Sequence, residues 1–149
     1  MNPETSKDFT HLKIHTQYSI CEGALKTVDL AKYCKLNQVK AIGLCDSNNL
    51  CGALEFSETV AKSKTQPIIG TQINIKYKNN MGKMPLFAQN LEGYKNLIKL
   101  SSKSYLDNDN LNDPQCKFED LLTYSNGIIA FSGSINCLVG KLFNKGLFE

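Results

Sequence analysis

The sequence predicts an α/β fold with a mainly parallel sheet, and three observations support this. Segments of strand length and amphipathic segments of helix length alternate along the chain. Its 149 residues suit one ordinary domain, and 42% apolar with 21% charged residues is a globular composition. Polar side chains suited to chemistry follow the predicted strand ends, where parallel α/β folds place their sites.

The first half of the chain predicts three strands and two helices. Residues 10–16 alternate apolar and polar side chains, which is the period of a half-buried strand. Residues 39–46 and 66–78 are mainly apolar and are typical of strands within a sheet. Between these strands, residues 25–37 and 49–64 repeat apolar positions at helical spacing.

The second half continues the alternation after a predicted turn at residues 79–82. Its strongest helix pattern, residues 91–106, has an apolar stripe with a period near 3.6. A polar stretch rich in turn formers predicts a loop at residues 107–116. The remaining predicted elements are a strand at 83–90, a helix at 117–127, a strand at 128–134 and a helix at 136–149.

Charge and apolar-run length limit the possible functions. The formal net charge of +3 permits contact with nucleic acid without arguing for it. No apolar run approaches the roughly 20 residues that span a bilayer, and the N-terminus has no apolar signal core. We therefore expect a cytoplasmic protein without a membrane partner. Its six cysteines contain no C-x-x-C pair and are expected to be reduced and at least half-buried.

Several polar residues stand at or just beyond predicted strand ends, where a site is expected. The same residues have a second interpretation, because Ser, Asp and Asn commonly cap the helix that follows a strand. For Asp46, Ser47 and Asn48 the two interpretations remain open. The candidate positions are His15, Glu22, Asp46, Ser47, Gln72, Ser132 and Ser134.

Five sequence blocks, in order and with matching gaps, resemble the PHP domain at the N-terminus of bacterial replicative DNA polymerase III alpha subunits. The resemblance implies a distorted TIM-like (β/α)7 barrel, of which this chain would supply about five strands. Residues 1–8 would form an N-terminal tail and residues 9–149 a partial PHP domain without a polymerase core. The blocks are HLKIHTQYSICEGAL, AIGLCDSNNLCGALEFSETV, QPIIGTQINI, LEGYKNLIKLSSKSYL, and GIIAFSGS followed by GKLFNKG.

Active members of this family hold zinc or manganese in the barrel mouth and hydrolyse phosphoesters, and the resemblance locates their ligand positions here. Four positions have lost a good ligand: Lys13 and Ser47 replace histidines, Gln72 replaces an acid, and Ser134 replaces a cysteine. His15, Glu22 and Asp46 remain able to bind a metal. We expect a vestigial site without metal, in which Lys13 pairs with Glu22 or Asp46.

The resemblance implies a non-catalytic, structural PHP segment of a replicative polymerase. Its partners would be the rest of the alpha subunit, a proofreading exonuclease subunit and, through the holoenzyme, DNA. Magnesium would serve only the absent polymerase core. The alternative is a metal-dependent PHP phosphoesterase or 3′–5′ exonuclease with a reduced zinc or manganese site of His15, Glu22 and Asp46.

Two further expectations concern the surface. A set of lysines on the hairpin and on the helix at 91–106 could bind nucleic acid, although a solvated helix face is the favoured explanation. An unfinished barrel would expose a sheet edge and an apolar face, which predicts poor stability for the chain alone. The lysines are Lys76, Lys78, Lys83, Lys95, Lys99 and Lys103.

Overall fold

The computed structural model describes residues 9–107 and 113–147, and five strands form one sheet within them. The strands are β1 (Ala41–Ser47), β2 (Gln66–Tyr77), β3 (Asn80–Ala88), β4 (Gln115–Lys117) and β5 (Ile128–Ala130). The helices are α1 (Thr27–Asn37), α2 (Ala53–Ala61), α3 (Leu91–Leu106), α4 (Phe118–Thr123) and α5 (Leu138–Asn144). The predicted α/β class is confirmed.

The sheet has the order β1-β2-β3-β5, with β4 beside the far end of β2. β1 and β4 both pair parallel with β2, whereas β3 pairs antiparallel with β2 and with β5. β3 is therefore the strand that runs against the other four. The sheet is therefore mixed, with two parallel and two antiparallel pairings among the described strands, and the prediction of a mainly parallel sheet did not foresee the two pairings of β3.

Two apolar clusters hold the layers together. Leu30 and Cys34 of α1 pack with Leu44 of β1 and with Phe56 and Val60 of α2, all of them buried. A second cluster joins β2 and β3 to α3, through residues such as Ile73, Leu86, Leu97 and Leu100. Fully burying a side chain of this size contributes about 1.5–3 kcal/mol, so these clusters anchor the sheet whose strand ends carry the candidate site.

The helix predicted at 91–106 is observed with those boundaries, because its start signal is local. Asn90 has an extended backbone, and its side chain accepts a hydrogen bond from the Gly93 N–H at 2.9 Å. This is the usual N-cap interaction, which satisfies one of the free amides in the first turn. The stripe predicted from Leu91 and Leu97 is shifted around the helix. Leu97 and Leu100 are buried, whereas Leu91 is 68% exposed.

Some predicted elements are shorter or irregular. The expected strand at 10–16 forms only isolated bridges, Ile14 with Leu44 and Thr16 with Leu25. The predicted strand at 128–134 is regular only over Ile128–Ala130, and the predicted loop at 107–116 contains the start of β4. Short strands of this kind depend on their neighbours for hydrogen bonds, so local patterns predict them poorly. Residues 108–112 of that loop, residues 1–8 and residues 148–149 lie outside the described part.

Within residues 9–107 and 113–147, no helix combines the length and apolar character needed to cross a bilayer.

The cysteines differ in exposure more than the sequence predicted. All six are free, but two are exposed, so the expectation that all are at least half-buried is wrong for those two. Burial raises the pKa of the Cys45 and Cys116 thiols to about 12, which leaves almost no reactive thiolate at neutral pH. The exposed pair is Cys21 and Cys51, and the buried ones are Cys34, Cys45, Cys116 and Cys137.

We expect a thiol reagent such as Ellman's reagent to label two cysteines quickly in the native protein and all six in denaturant. The physical reason is that only exposed, ionisable thiols react at an appreciable rate. Counting the released chromophore gives the number directly, and Cys21→Ser with Cys51→Ser should abolish the fast phase. Rapid labelling of a third cysteine would contradict the burial described above.

Candidate functional site

Asp46 lies near the carboxyl end of β1 and is fully buried. Its Oδ1 accepts hydrogen bonds from the Thr16 N–H at 2.6 Å and from the Ser19 hydroxyl at 2.6 Å. Its Oδ2 accepts one from the Thr16 hydroxyl at 2.7 Å. Several donors to one buried carboxylate satisfy it without a counterion, and they fasten the turn after residue 15 to β1.

Glu22 is held by a different set of groups. The Lys83 ammonium of β3 lies 2.5 Å from its Oε1, and the Ser47 hydroxyl donates to its Oε2. These two hydrogen bonds hold the pKa of Glu22 below its ordinary value. Gln72 joins the same group through its Nε2, which lies 3.4 Å from the Ser47 hydroxyl oxygen. We call Glu22, Ser47, Gln72 and Lys83 the Glu22 cluster.

His15 is half-buried, and the charges of both acids act on it. Burial is the largest influence and lowers its pKa, while the negative charges of Glu22 and Asp46 oppose that effect and the charge of Lys13 adds to it. Its Nδ1 is 3.5 Å from the Ser19 hydroxyl. The imidazole is therefore biased towards its neutral form at physiological pH.

The structure places most of the predicted site residues close together, but Ser132 and Ser134 lie apart from them. Ser132 is exposed, and the Ser134 hydroxyl has local contacts, with the Cys137 sulfur at 3.7 Å and the Asn136 N–H at 3.4 Å. Among the described residues, no hydrogen bond joins either serine to the Glu22 cluster.

Lys13 does not make the ion pair expected from the sequence. Its side chain is exposed, and across residues 9–107 and 113–147 neither Glu22 nor Asp46 forms an ion pair with it. Lys83 takes that place on Glu22, 61 positions away in the chain. The sequence offered no signal for this, because only the β2–β3 hairpin brings Lys83 to the strand ends. The hydroxyl donors Thr16 and Ser19 were missed for a similar reason.

These residues do not fit the metal cluster that the PHP resemblance implies. Both oxygens of Glu22 are engaged by Lys83 and Ser47, and both oxygens of Asp46 are engaged by neutral donors. In the described ranges, nowhere do three or more His, Cys, Asp or Glu side chains converge as metal ligands would. The buried Oε1 of Gln72 has no donor there, but one neutral amide oxygen does not replace an anionic ligand.

The predicted lysine surface is largely engaged with its own neighbours. Lys83 pairs with Glu22, and Lys103 forms ion pairs with Asp107 and, at 3.4 Å, with Asp120. Lys99 lies 5.3 Å from the centre of the Tyr124 ring, a cation–π distance. These contacts favour the interpretation of the α3 lysines as part of an ordinary solvated helix face.

We expect the Glu22–Lys83 pair to show a coupling of about 0.5–1 kcal/mol, since both side chains are roughly 40% exposed and water screens the interaction. A double-mutant cycle with Glu22→Gln and Lys83→Met measures it by urea unfolding. The folded pKa of Glu22 is lowered, so the coupling is present above the unfolded pKa of about 4.3 and is lost as pH falls through the folded value. A coupling unchanged at pH 2 would contradict this.

Comparison with known proteins identifies the family. The PHP domain family matches residues 11–148. The chain is 39% identical over 142 residues to the DNA polymerase III subunit alpha of Rickettsia prowazekii, covering 95% of this chain and 12% of that protein. It is 37% identical over 152 residues to the same subunit of Borreliella burgdorferi, covering 95% of this chain and 13% of that protein.

A solved structure supports the fold alone. An amidohydrolase from Chromobacterium violaceum, solved with bound sulfate and no metal, superposes with a TM-score of 0.53 at 14% identity over 64% of this chain and 33% of its own. The chain thus spans a small part of its polymerase relatives and a third of a structural neighbour. The sequence match over nearly its whole length and the shared fold together lead to one conclusion: this chain belongs to the PHP domain family.

Proposed function

We propose that this chain is a non-catalytic PHP segment of a bacterial replicative DNA polymerase alpha subunit, with a structural role in DNA replication. The observation that carries the proposal is the Lys83 ammonium on Glu22, at a position where an active PHP site would need a free carboxylate. The similarity to the alpha subunits of Rickettsia and Borreliella supports the replication context.

Electrostatics favours an ion pair over a metal at this position. Two like unit charges about 4 Å apart at an effective dielectric near 20 repel by roughly 4 kcal/mol, and a dication facing an ammonium repels by about twice that. A metal bound at Glu22 would first have to displace Lys83. Lys83 thus neutralises the carboxylate as a metal cation would, but it provides neither a Lewis acid nor an activated water.

A structural segment of this kind would act through its partners. We propose that it supports the rest of the alpha subunit and docks a proofreading exonuclease subunit, with DNA reached through the assembled holoenzyme. Magnesium would belong to the polymerase core, in a part of the subunit outside this chain. In this proposal, the hydrogen bonds of the buried Asp46 and the contacts of the Glu22 cluster keep the strand ends rigid.

Metal analysis of the purified protein tests the proposal. After incubation with zinc or manganese and desalting, we expect substoichiometric metal by mass spectrometry, because Lys83 and the hydroxyl donors occupy the carboxylates. Lys83→Met is the informative companion, since it removes the ammonium and leaves Glu22 in place, while Lys95→Met is the matched control. A full equivalent of tightly bound metal in the unaltered protein would overturn the proposal.

The second candidate is a PHP phosphoesterase or 3′–5′ exonuclease, and one observation favours it. His15 lies within the electrostatic influence of Glu22 and Asp46, as a small one-metal site would require. Hydrolysis of single-stranded DNA or p-nitrophenyl phosphate with added manganese, lost in His15→Ala and retained in His11→Ala, would support this candidate. No hydrolysis above background is the result we expect.

A further inference from the structure

A cavity of about 520 Å³ lies at the end of the sheet opposite the candidate site. It opens where β1 and β2 begin, whereas Asp46 and Ser47 lie where β1 ends. Two loops border it, one from α1 to β1 and one from α2 to β2. The lining is strongly basic: Lys35 lies in the last turn of α1, and Lys40, Lys62 and Lys64 lie in the two loops, with Gln38 and Ser63 between them. We call this the basal lysine cavity.

The parallel register of the strands places the two loops side by side. Ala41 at the start of β1 pairs with Gln66 at the start of β2, so the residues before each strand are neighbours. The Thr65 hydroxyl donates to the Val39 carbonyl at 2.8 Å, and the Ser63 hydroxyl donates to the Ala31 carbonyl at 3.0 Å. These cross-links fix the backbone that carries the lysines.

Each loop also contains a residue in the left-handed region, where glycine is usual. Gln38 has φ of 52° and caps α1, with its N–H bonded to the Cys34 carbonyl, and Lys64 has φ of 61°. A side chain at such a position costs about 1 kcal/mol relative to glycine. Both of these side chains line the cavity.

Three of the cavity's lysines have no neutralising carboxylate among the described residues. The described part of the lining contains no carboxylate, and within residues 9–107 and 113–147 Lys35, Lys62 and Lys64 form none of the ion pairs that engage Lys83 and Lys103. The ends of α1 and α2 offset part of this charge, because helix C-termini carry partial negative charge. Several ammonium groups around one concave surface still leave a positive potential that attracts anions.

We propose that the basal lysine cavity binds the phosphate backbone of a nucleic acid, without reading its sequence. Lysine ammonium groups are suited to phosphate oxygens as point charges. Among the described residues, the lining has no aromatic side chain on which a base could stack and no carboxylate that could read a base edge. Lysines carried by two neighbouring segments of the chain suit a series of phosphates better than a single phosphate. The proposal does not depend on whether the Glu22 cluster is inactive.

Salt-dependent binding of a labelled oligonucleotide, single-stranded and as a duplex, tests the proposal by fluorescence anisotropy on the full chain. Each phosphate contact contributes about −0.9 to the log–log salt slope for duplex DNA and about −0.7 for a single strand. Lys62→Gln with Lys64→Gln should therefore reduce the duplex slope by about 1.8 and weaken binding at low salt by roughly tenfold. Lys62→Arg with Lys64→Arg keeps both charges and should retain binding.

The matched control is Lys76→Gln with Lys95→Gln, which removes the same charge from exposed positions outside the cavity. An equal loss in the control, or an unchanged slope in the cavity variant, would overturn the proposal. Saturable binding of inorganic tripolyphosphate without any binding of DNA would also overturn it. Circular dichroism checks folding, and Lys35→Gln alone replaces the double variant if that variant unfolds, with an expected slope change of about 0.9.

Discussion

Replacing Asp46 with alanine is expected to lower the free energy of unfolding by about 3–5 kcal/mol. The carboxylate is fully buried and accepts hydrogen bonds from the Thr16 N–H, the Thr16 hydroxyl and the Ser19 hydroxyl. Its loss leaves these donors without an acceptor in a dry interior, and the turn after residue 15 loses its attachment to β1. Urea unfolding followed by circular dichroism measures the change.

Two comparisons make the Asp46 result specific. Asp46→Asn keeps the shape and one acceptor oxygen, so its loss should be smaller than that of the alanine variant. Asp29→Ala removes an exposed carboxylate paired with Lys32 at 2.9 Å, and because water screens this pair the loss of stability should be much smaller than for Asp46→Ala. If Asp46→Ala were no more destabilising than Asp29→Ala, the hydrogen bonds from Thr16 and Ser19 to Asp46 would not stabilise the folded protein.

Replacing Gly93 with alanine is expected to destabilise the protein by more than about 2 kcal/mol. Helix propensity alone predicts the opposite sign, since alanine exceeds glycine by about 1 kcal/mol inside a helix. Near the start of α3, however, a Cβ on Gly93 would overlap the carbonyl of Gly127. That carbonyl is held in place because it accepts a hydrogen bond from the Gln89 N–H at 2.8 Å.

The control for Gly93 lies in the same helix. Ser102 is exposed, and Ser102→Ala should change stability by no more than about 0.5 kcal/mol, in the direction that propensity predicts. Thermal unfolding of both variants under one set of conditions separates the two effects. A stabilised Gly93→Ala protein would show that α3 and the turn at Gly127 are not in contact in solution.

Features encoded by neighbouring residues could be predicted from the sequence. α3 was predicted with its observed boundaries because its apolar period is local. The Asn90 cap is local too, but Asn90 had been assigned to the preceding strand. β2 was predicted as a strand from its run of apolar residues and differs from the observed Gln66–Tyr77 by one residue at its end. The grouping of Glu22, Asp46, Ser47 and Gln72 followed from the rule that strand ends share one edge of a sheet.

Partner choice could not be predicted in the same way. Lys13 was the expected partner of Glu22 or Asp46 because the family resemblance places it at a ligand position, yet Lys83 pairs with Glu22. The expected first strand is reduced to bridges, although its backbone still bonds to β1, with the Gly43 N–H donating to His11 and the Cys45 N–H to Ile14. Each of these outcomes depends on residues far apart in the chain.

The sequence by itself determined the α/β class and the main helices and strands. The loss of metal ligands at Lys13, Ser47, Gln72 and Ser134 is what its resemblance to the PHP family implies, and it stays a prediction. Tertiary structure decided which cation neutralises Glu22, which hydroxyls satisfy Asp46, and that four lysines from the end of α1 and two neighbouring loops border one cavity. The physical reason is range: caps and apolar periods act within a few residues, whereas ion pairs and buried hydrogen bonds require groups that only the folded sheet brings together.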